Sequence, residues 1–188
     1  SHHFVESAPG YLRYRLTEDG VSPRGIFGHG TGLIRIDSHE HDESGHIEED
    51  FDMRERMQLK RMSKLKLLER VALPPKVSGN PKGKNVVLCW GSTGPVLDEA
   101  VSSLDRQDVA LVHFSQVFPL HSSIGSLVAE AGTLIVVEGN STGQFAKLVR
   151  LYTGRKADRL LLNFRGHQFS VEELALALEK IIGGGEGR

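Results

Sequence analysis

From Asn85 onward the apolar positions fall in short unbroken runs, each followed by a stretch with helical spacing. The runs are NVVLCWG (Asn85–Gly91), VALVHF (Val109–Phe114), TLIVVEG (Thr133–Gly139) and RLLLNF (Arg159–Phe164). Such runs predict buried strands. Between and after them, Leu97, Ala100, Val101 and Leu104, then Ile124, Leu127, Val128 and Ala131, then Phe145, Leu148, Val149 and Tyr152 recur at three- and four-residue steps. These predict helices, with Pro95 near the first turn of the first. Ser170 and Glu173 form a capping box that opens a last helix, with Leu174, Leu178, Ile181 and Ile182 facing inward. Strands alternating with helices predict an α/β fold, an open parallel-sheet sandwich over residues 85–183. Residues 184–188 read as a flexible tail.

Upstream the pattern changes. Residues 73–84 carry prolines, glycines and polar residues and read as a linker. Residues 1–72 form an irregular extension with a helix. YLRYRL (Tyr11–Leu16) and GLIRID (Gly32–Asp37) are candidate short strands. The helix starts with Asp52 as its cap and runs to about Leu73. Met53, Met57, Met62, Leu65, Leu68 and Val71–Ala72 lie on one broad face, and Arg54, Arg56, Lys60, Arg61, Lys64, Lys66 and Arg70 on the other. A basic amphipathic helix can bind acidic membranes or nucleic acid. No aromatic residue sits on the stripe, so a solvated face over a packed stripe is the better reading.

Composition narrows the function. A net charge of −1 over 188 residues gives no sign of a nucleic-acid partner. No apolar run approaches the roughly 20 residues a membrane helix needs, and no secretory signal is visible. Ser1–His3 resembles a tag remnant and is assigned no role. The single cysteine, Cys89, excludes disulfide scaffolds and four-cysteine clusters within the chain. Its apolar surroundings predict a buried, inert thiol, and the balance points to the cytoplasm.

Candidate chemistry sits in loops. Ligands of open α/β sheets meet the C-terminal ends of strands. WGSTGP, with Ser92 and Thr93, and EGNSTGQ, with Glu138, Asn140, Thr142 and Gln144, are Gly-rich turns into helices. Such turns can hold a phosphate or simply make tight corners; neither matches a P-loop or a dinucleotide fingerprint. SQVFPLH (Ser115–His121) is a turn that can expose Phe118. Glu138 at a strand end can serve acid–base chemistry or pin Asn140 or a neighbouring chain by hydrogen bonds, and the second role fits better because no nucleophile is near. DSHEHDESGHIEED (Asp37–Asp50) is the most polar stretch. His39, His41 and His46 with their acids have no established zinc spacing, so a loop binding a polar substrate or a subunit is favoured over a metal. No G-x-S-x-G elbow or H-E-x-x-H helix occurs.

Three stretches carry a family resemblance: LTEDGVSPRGIFG, IDSHEHDESGHIEED and VVEGNSTGQFAKLVR, in that order. In them the chain, from about Tyr11 to Ile182, resembles the C-terminal region of the α subunit of 2-oxoacid:ferredoxin oxidoreductases, most of all the 2-oxoglutarate branch. His39 departs from the pattern, which has an acid there.

The resemblance implies a fold like the C-terminal domain of transketolase for residues 85–183. It implies that residues 1–72 are the tail of a pyrimidine-binding domain plus a connecting helix. The whole enzyme would decarboxylate a 2-oxoacid with thiamine diphosphate and Mg²⁺, form an acyl-CoA, and pass electrons through an iron–sulfur cluster to ferredoxin. Its partners would be a β subunit, the upstream α-subunit domain, ferredoxin and CoA, in an oligomer. This chain would be a fragment that organises assembly, with no catalytic residue, metal or cofactor of its own and no activity alone. Ser22, Arg24, His41 and Asp42 would face the active site. Arg24 is a fixed cation whose fork suits a carboxylate, held in place by Ser22 and Pro23. Two other readings stay open: a stand-alone module binding CoA or a nucleotide at the Gly-rich loops, and a domain that only buries interface.

Overall fold

The computed structural model describes residues 3–80 and 84–184. Linker residues 81–83, tail residues 185–188, and Ser1 and His2 of the tag-like start lie outside the described residues. The chain divides into two compact units, Ser1–Val71 and Ala72–Arg188.

In the first unit, β1 (Phe4–Ser7) and β2 (Arg24–Gly30) pair in parallel. The Ser7 carbonyl accepts the Thr31 and Gly32 N–H groups, each at 2.8 Å, so the GHGTG segment wraps around one residue. Neither expected strand forms: Tyr11–Leu16 is a chain of turns and Gly32–Asp37 is irregular. The alternation of Tyr11–Leu16 reflects side chains used singly, with Tyr11 and Tyr14 binding other loops, and no second strand lies alongside. Helix α1 (Phe51–Arg70) starts earlier than expected: Asp50 is the cap, its carboxylate accepting the Met53 N–H at 2.7 Å.

The inner face of α1 also differs from the expected one. Met57 and Lys60 are its buried residues, while Met62 and Leu68 are about half exposed. Met57 is the single buried large apolar side chain among the described residues of this unit. Phe27, Leu33 and Phe51 are 66%, 67% and 84% exposed, and Ile26, Ile36, Ile47 and Leu59 are exposed too. The unit is held by polar contacts rather than by an apolar core.

The second unit is built as the apolar runs require. Its strands are β3 (Lys76–Gly79), β4 (Asn85–Trp90), β5 (Val109–Phe114), β6 (Thr133–Glu138) and β7 (Arg159–Leu162). Its helices are α2 (Thr93–Ser103), α3 (Ile124–Ala129), α4 (Gln144–Thr153) and α5 (Val171–Gly183). The sheet order is β3-β5-β4-β6-β7. β4 to β7 are parallel, and β3 runs antiparallel along β5 at one edge. β3 lies inside the stretch read as a linker, so the sheet is parallel-dominated rather than purely parallel. Antiparallel pairing suits a half-exposed edge, where a polar KVSG strand with no apolar run is stable.

Period-two alternation sorts the strand side chains onto two faces. Val86, Leu88, Val112, Phe114 and Val136 pack with α3 and α4; Val87, Cys89, Leu111, Ile135 and Val137 pack with α2 and α5. Ser170 and Glu173 form the expected capping box on α5. β7 ends two residues before the expected strand. There Asn163 donates its N–H to the Glu138 carbonyl and then turns the chain, its side chain bonding Arg165 and His167.

Candidate functional site

In the first unit, four loops converge on Tyr14 and Lys60. Lys60 is 8% exposed although its ammonium is charged at neutral pH. Its Nζ donates to the Tyr14 carbonyl at 2.6 Å and to the Ser22 hydroxyl. The Tyr14 N–H donates to the Glu43 carbonyl, and the Leu16 N–H donates to the Glu43 carboxylate at 2.8 Å. The His41 ring stacks on Tyr14 with centroids 3.7 Å apart, and its Nδ1 lies 3.1 Å from the Asp42 carbonyl. Ser22 and His41 thus meet through Tyr14 and Lys60, two residues that the sequence reading did not single out. Lys60 had been placed on the solvated face. Its long apolar stem and two oxygen acceptors make burial tolerable. One signal was available: Lys60 falls in helical phase with Met53 and Met57.

Arg24 begins β2 with an exposed side chain. Among the described residues its guanidinium makes no hydrogen bond or ion pair. Its backbone is gripped by Tyr11, whose hydroxyl donates to the Pro23 carbonyl at 2.9 Å and accepts the Gly25 N–H at 2.6 Å. The Ser22 hydroxyl does not contact the Arg24 side chain: it donates to the Arg15 carbonyl at 2.9 Å and accepts from Lys60.

Asp42 is turned into its own loop, accepting from the Ser44 hydroxyl and from the Ser44 and His46 N–H groups. Burial raises its carboxyl, but the Ser44 hydroxyl and the two N–H bonds outweigh that and bring it down to about 2. His39 pairs with Asp37 at 2.8 Å and His46 with Ser44 at 2.7 Å. Among the described residues, no group of three or more His, Cys, Asp or Glu is arranged to hold a metal.

Burial pushes the Lys60 ammonium down to about 8; Lys64, Arg13 and Arg61 push the same way and Glu43 opposes them. The unfolded chain keeps that proton up to about 10.5. Between those values the unfolded state binds more protons, so stability rises with pH as the cost of the buried charge is relieved. Urea unfolding of wild type and Lys60→Met at pH 7.5 and pH 10 checks this. Wild type should gain about 1–3 kcal/mol relative to the variant at the higher pH. A constant difference would show that Lys60 titrates like a surface lysine.

In the second unit the strand order reverses between β4 and β6. α2 leaves β4 toward one face and α4 leaves β6 toward the other, so a crevice opens at the strand ends. A cleft of about 430 Å³ lies there, lined by Ser92, Thr93, Gly139, Asn163, Phe164 and His167 among others. The β4–α2 turn is set by His113, whose Nε2 lies 2.8 Å from the Gly91 carbonyl. Gly94 packs so tightly on that ring that an added Cβ would sit 2.5 Å from it. The Asn163–Phe169 side of the cleft was not anticipated, because no period or motif marks it.

The β6–α4 turn is closed on itself. Glu138 is fully buried and accepts the Phe145 N–H at 2.8 Å, the Ala146 N–H at 3.1 Å and the Asn140 amide. Asn140 Oδ1 in turn accepts the Thr142 and Gly143 N–H groups at 3.0 and 2.8 Å, with Gln144 N at 3.4 Å. The N–H groups from Thr142 to Ala146 are thus taken by Asn140 and Glu138, and the Thr142 and Gln144 side chains are exposed beside the turn. Both expected Gly-rich loops reach the cleft, one through Ser92 and Thr93 and the other through Gly139. Phe118 is 61% exposed, as its turn suggested.

The fold is thus a mixed α/β sandwich with a parallel-dominated sheet and a crevice at its strand-order reversal, joined in sequence to a core-poor unit. The chain is 35% identical over 183 residues, 95% of its length, to 2-oxoacid:ferredoxin oxidoreductase 1, subunit alpha, of Sulfurisphaera tokodaii. It is 36% identical over 185 residues to 2-oxoacid:ferredoxin oxidoreductase 2, subunit alpha, of Aeropyrum pernix. It spans 28% of the length of each of these curated relatives. The solved structure of 2-oxoglutarate:ferredoxin oxidoreductase from Magnetococcus marinus, with 2-oxoglutarate, coenzyme A and succinyl-CoA bound, matches 92% of this chain and 31% of that one. The TM-score is 0.78 at 26% identity. No protein-family model matches the chain. Among the described residues, no helix is long and apolar enough to cross a membrane.

Proposed function

We propose that this chain is the C-terminal part of the α subunit of a cytoplasmic, thiamine diphosphate-dependent 2-oxoacid:ferredoxin oxidoreductase, with 2-oxoglutarate as the substrate. In the complete complex the enzyme forms an acyl-CoA and reduced ferredoxin, and this part organises assembly. The observation that carries the reading is the first unit's surface. A 71-residue unit with one buried large apolar side chain among its described residues and many exposed ones calls for a partner surface. The partners proposed are the upstream α-subunit domain and the β subunit. The similarity to named α subunits over 95% of the chain supports the same assignment.

An iron–sulfur cluster does not fit the described residues of this chain. Cys89 is fully buried in the sheet, and burial, with the Asp98 charge adding, pushes its thiol up to about 12. That is the opposite of what a cluster-ligating thiolate needs. No step of the chemistry is assigned to these residues beyond carboxylate recognition by Arg24.

The test is the intact mass of the native gene product and its purification from source. A much longer chain that purifies with a cysteine-rich second subunit supports the reading. A product of this length that purifies alone overturns it. The cleft at Ser92 and Thr93 favours one second reading, a module binding CoA or a nucleotide at strand ends. Calorimetric titration of CoA into this chain separates the two: saturable binding by the lone chain supports the module.

A further inference from the structure

We propose that Tyr11 and Lys60 are positioning residues that hold the backbone of Arg24 in place for a carboxylate, an inference that rests on the oxidoreductase reading above. The Tyr11 hydroxyl bonds the peptide groups on both sides of Arg24, to the Pro23 carbonyl at 2.9 Å and from the Gly25 N–H at 2.6 Å. A phenol used both as donor and as acceptor across one residue fixes that residue's backbone without touching its side chain. Gly25 makes the grip possible. A Cβ there would lie 3.0 Å from the Tyr11 ring and 3.1 Å from Ile34 Cδ1. Any larger residue would press against the ring whose hydroxyl holds the chain.

Lys60 secures the same segment from the other side. Its Nζ bonds the Ser22 hydroxyl, two residues before Arg24, and the Tyr14 carbonyl, three residues after Tyr11. The clamp and the segment it clamps are therefore both tied to one helix, α1. The Ser22 hydroxyl reaches on to the Arg15 carbonyl at 2.9 Å, which closes the network. This arrangement leaves the guanidinium of Arg24 exposed at the end of a fixed stretch of backbone. Fixing the backbone sets the point from which the guanidinium reaches and removes the backbone share of the ordering cost when it meets an anion, leaving the side-chain rotamers to be ordered on binding.

Two readouts in the complete enzyme test this. The first is a double-mutant cycle on the KM for the 2-oxoacid with Tyr11→Phe, Arg24→Ala and the pair. Tyr11→Phe should raise KM roughly three- to tenfold, more than it lowers kcat, and should add nothing further in the Arg24→Ala background. The second is hydrogen exchange of the Ser22–Gly25 segment, which should quicken about tenfold or more in Tyr11→Phe and in Lys60→Met. Unchanged exchange in both variants, or a Tyr11→Phe penalty that persists in full without Arg24, overturns the proposal. If Arg24→Ala alone leaves KM unchanged, the substrate reading of Arg24 falls, and the exchange result by itself decides whether the clamp exists.

Discussion

Replacing Glu138 by alanine is expected to destabilise the second unit by about 3–5 kcal/mol, among the larger effects a single substitution produces. The carboxylate is fully buried at the end of β6 and accepts three hydrogen bonds. Two come from the first turn of α4, whose N-cap position is Gly143 with no side chain to offer. The cap is therefore supplied by a strand rather than by the helix's own sequence, and a negative charge at a helix N-terminus is favoured there. Removing it leaves two buried N–H groups and the Asn140 amide without their acceptor. Asn140 itself orders the turn, so its loss of anchorage should spread to Thr142 and Gly143. Glutamine keeps the shape but presents an NH₂ group toward donors, so Glu138→Gln should recover only part of the loss. Urea unfolding of the three proteins provides the check. A cost below about 1 kcal/mol for alanine would mean that α4 is capped by something else.

The same geometry decides between the two roles open to Glu138 at the outset. Both of its oxygens are committed to holding a turn, which is the pinning role. It also separates two loops that looked equivalent as Gly-rich sequences. Composition alone does not reveal where a loop's N–H groups point. Glu138 and Asn140 accept the Thr142, Gly143, Phe145 and Ala146 N–H groups after β6, while in the turn after β4 the Gly91 carbonyl is shared by Gly94 and His113.

The second unit was legible because burial on both faces of a parallel sheet forces continuous apolar runs, and helices between them must show a 3.6-residue period. β5 follows its run residue for residue, β4 and β6 each stop one residue short of the glycine that ends theirs, and the Ser170–Glu173 box marks the start of α5. β3 was not legible because an antiparallel edge strand needs no apolar run, and its neighbours Pro74, Pro75 and Pro81 read as linker. The first unit was largely illegible for a related reason. Ser7, Tyr11, Asp42, Glu43 and Lys60 hold it by side chain-to-backbone bonds that obey no period. The apolar stripe read on α1 is not its buried face: Met62 and Leu68 are about half exposed while Lys60 is buried.

Replacing Arg24 by alanine in the complete enzyme is expected to raise the KM for a 2-oxoacid by about 10- to 100-fold. That is the range for losing a hydrogen-bonded contact between charged groups. Arg24 differs from two cations of this unit whose charged groups are already engaged. Arg61 is spent on Glu40 through two bonds of 3.1 and 2.7 Å, and Lys60 on Tyr14 and Ser22. Arg24 has a fixed backbone and an uncommitted guanidinium, the combination a carboxylate site requires. Lysine in its place keeps the charge but loses the fork, so Arg24→Lys should recover part of the affinity and little of any selectivity for planar carboxylates. If Arg24 instead pairs with an acid of another subunit, KM will stay near wild type while the subunits separate at lower salt, which sedimentation of the variant complex would show. Unchanged KM together with unchanged assembly would remove Arg24 from the site altogether.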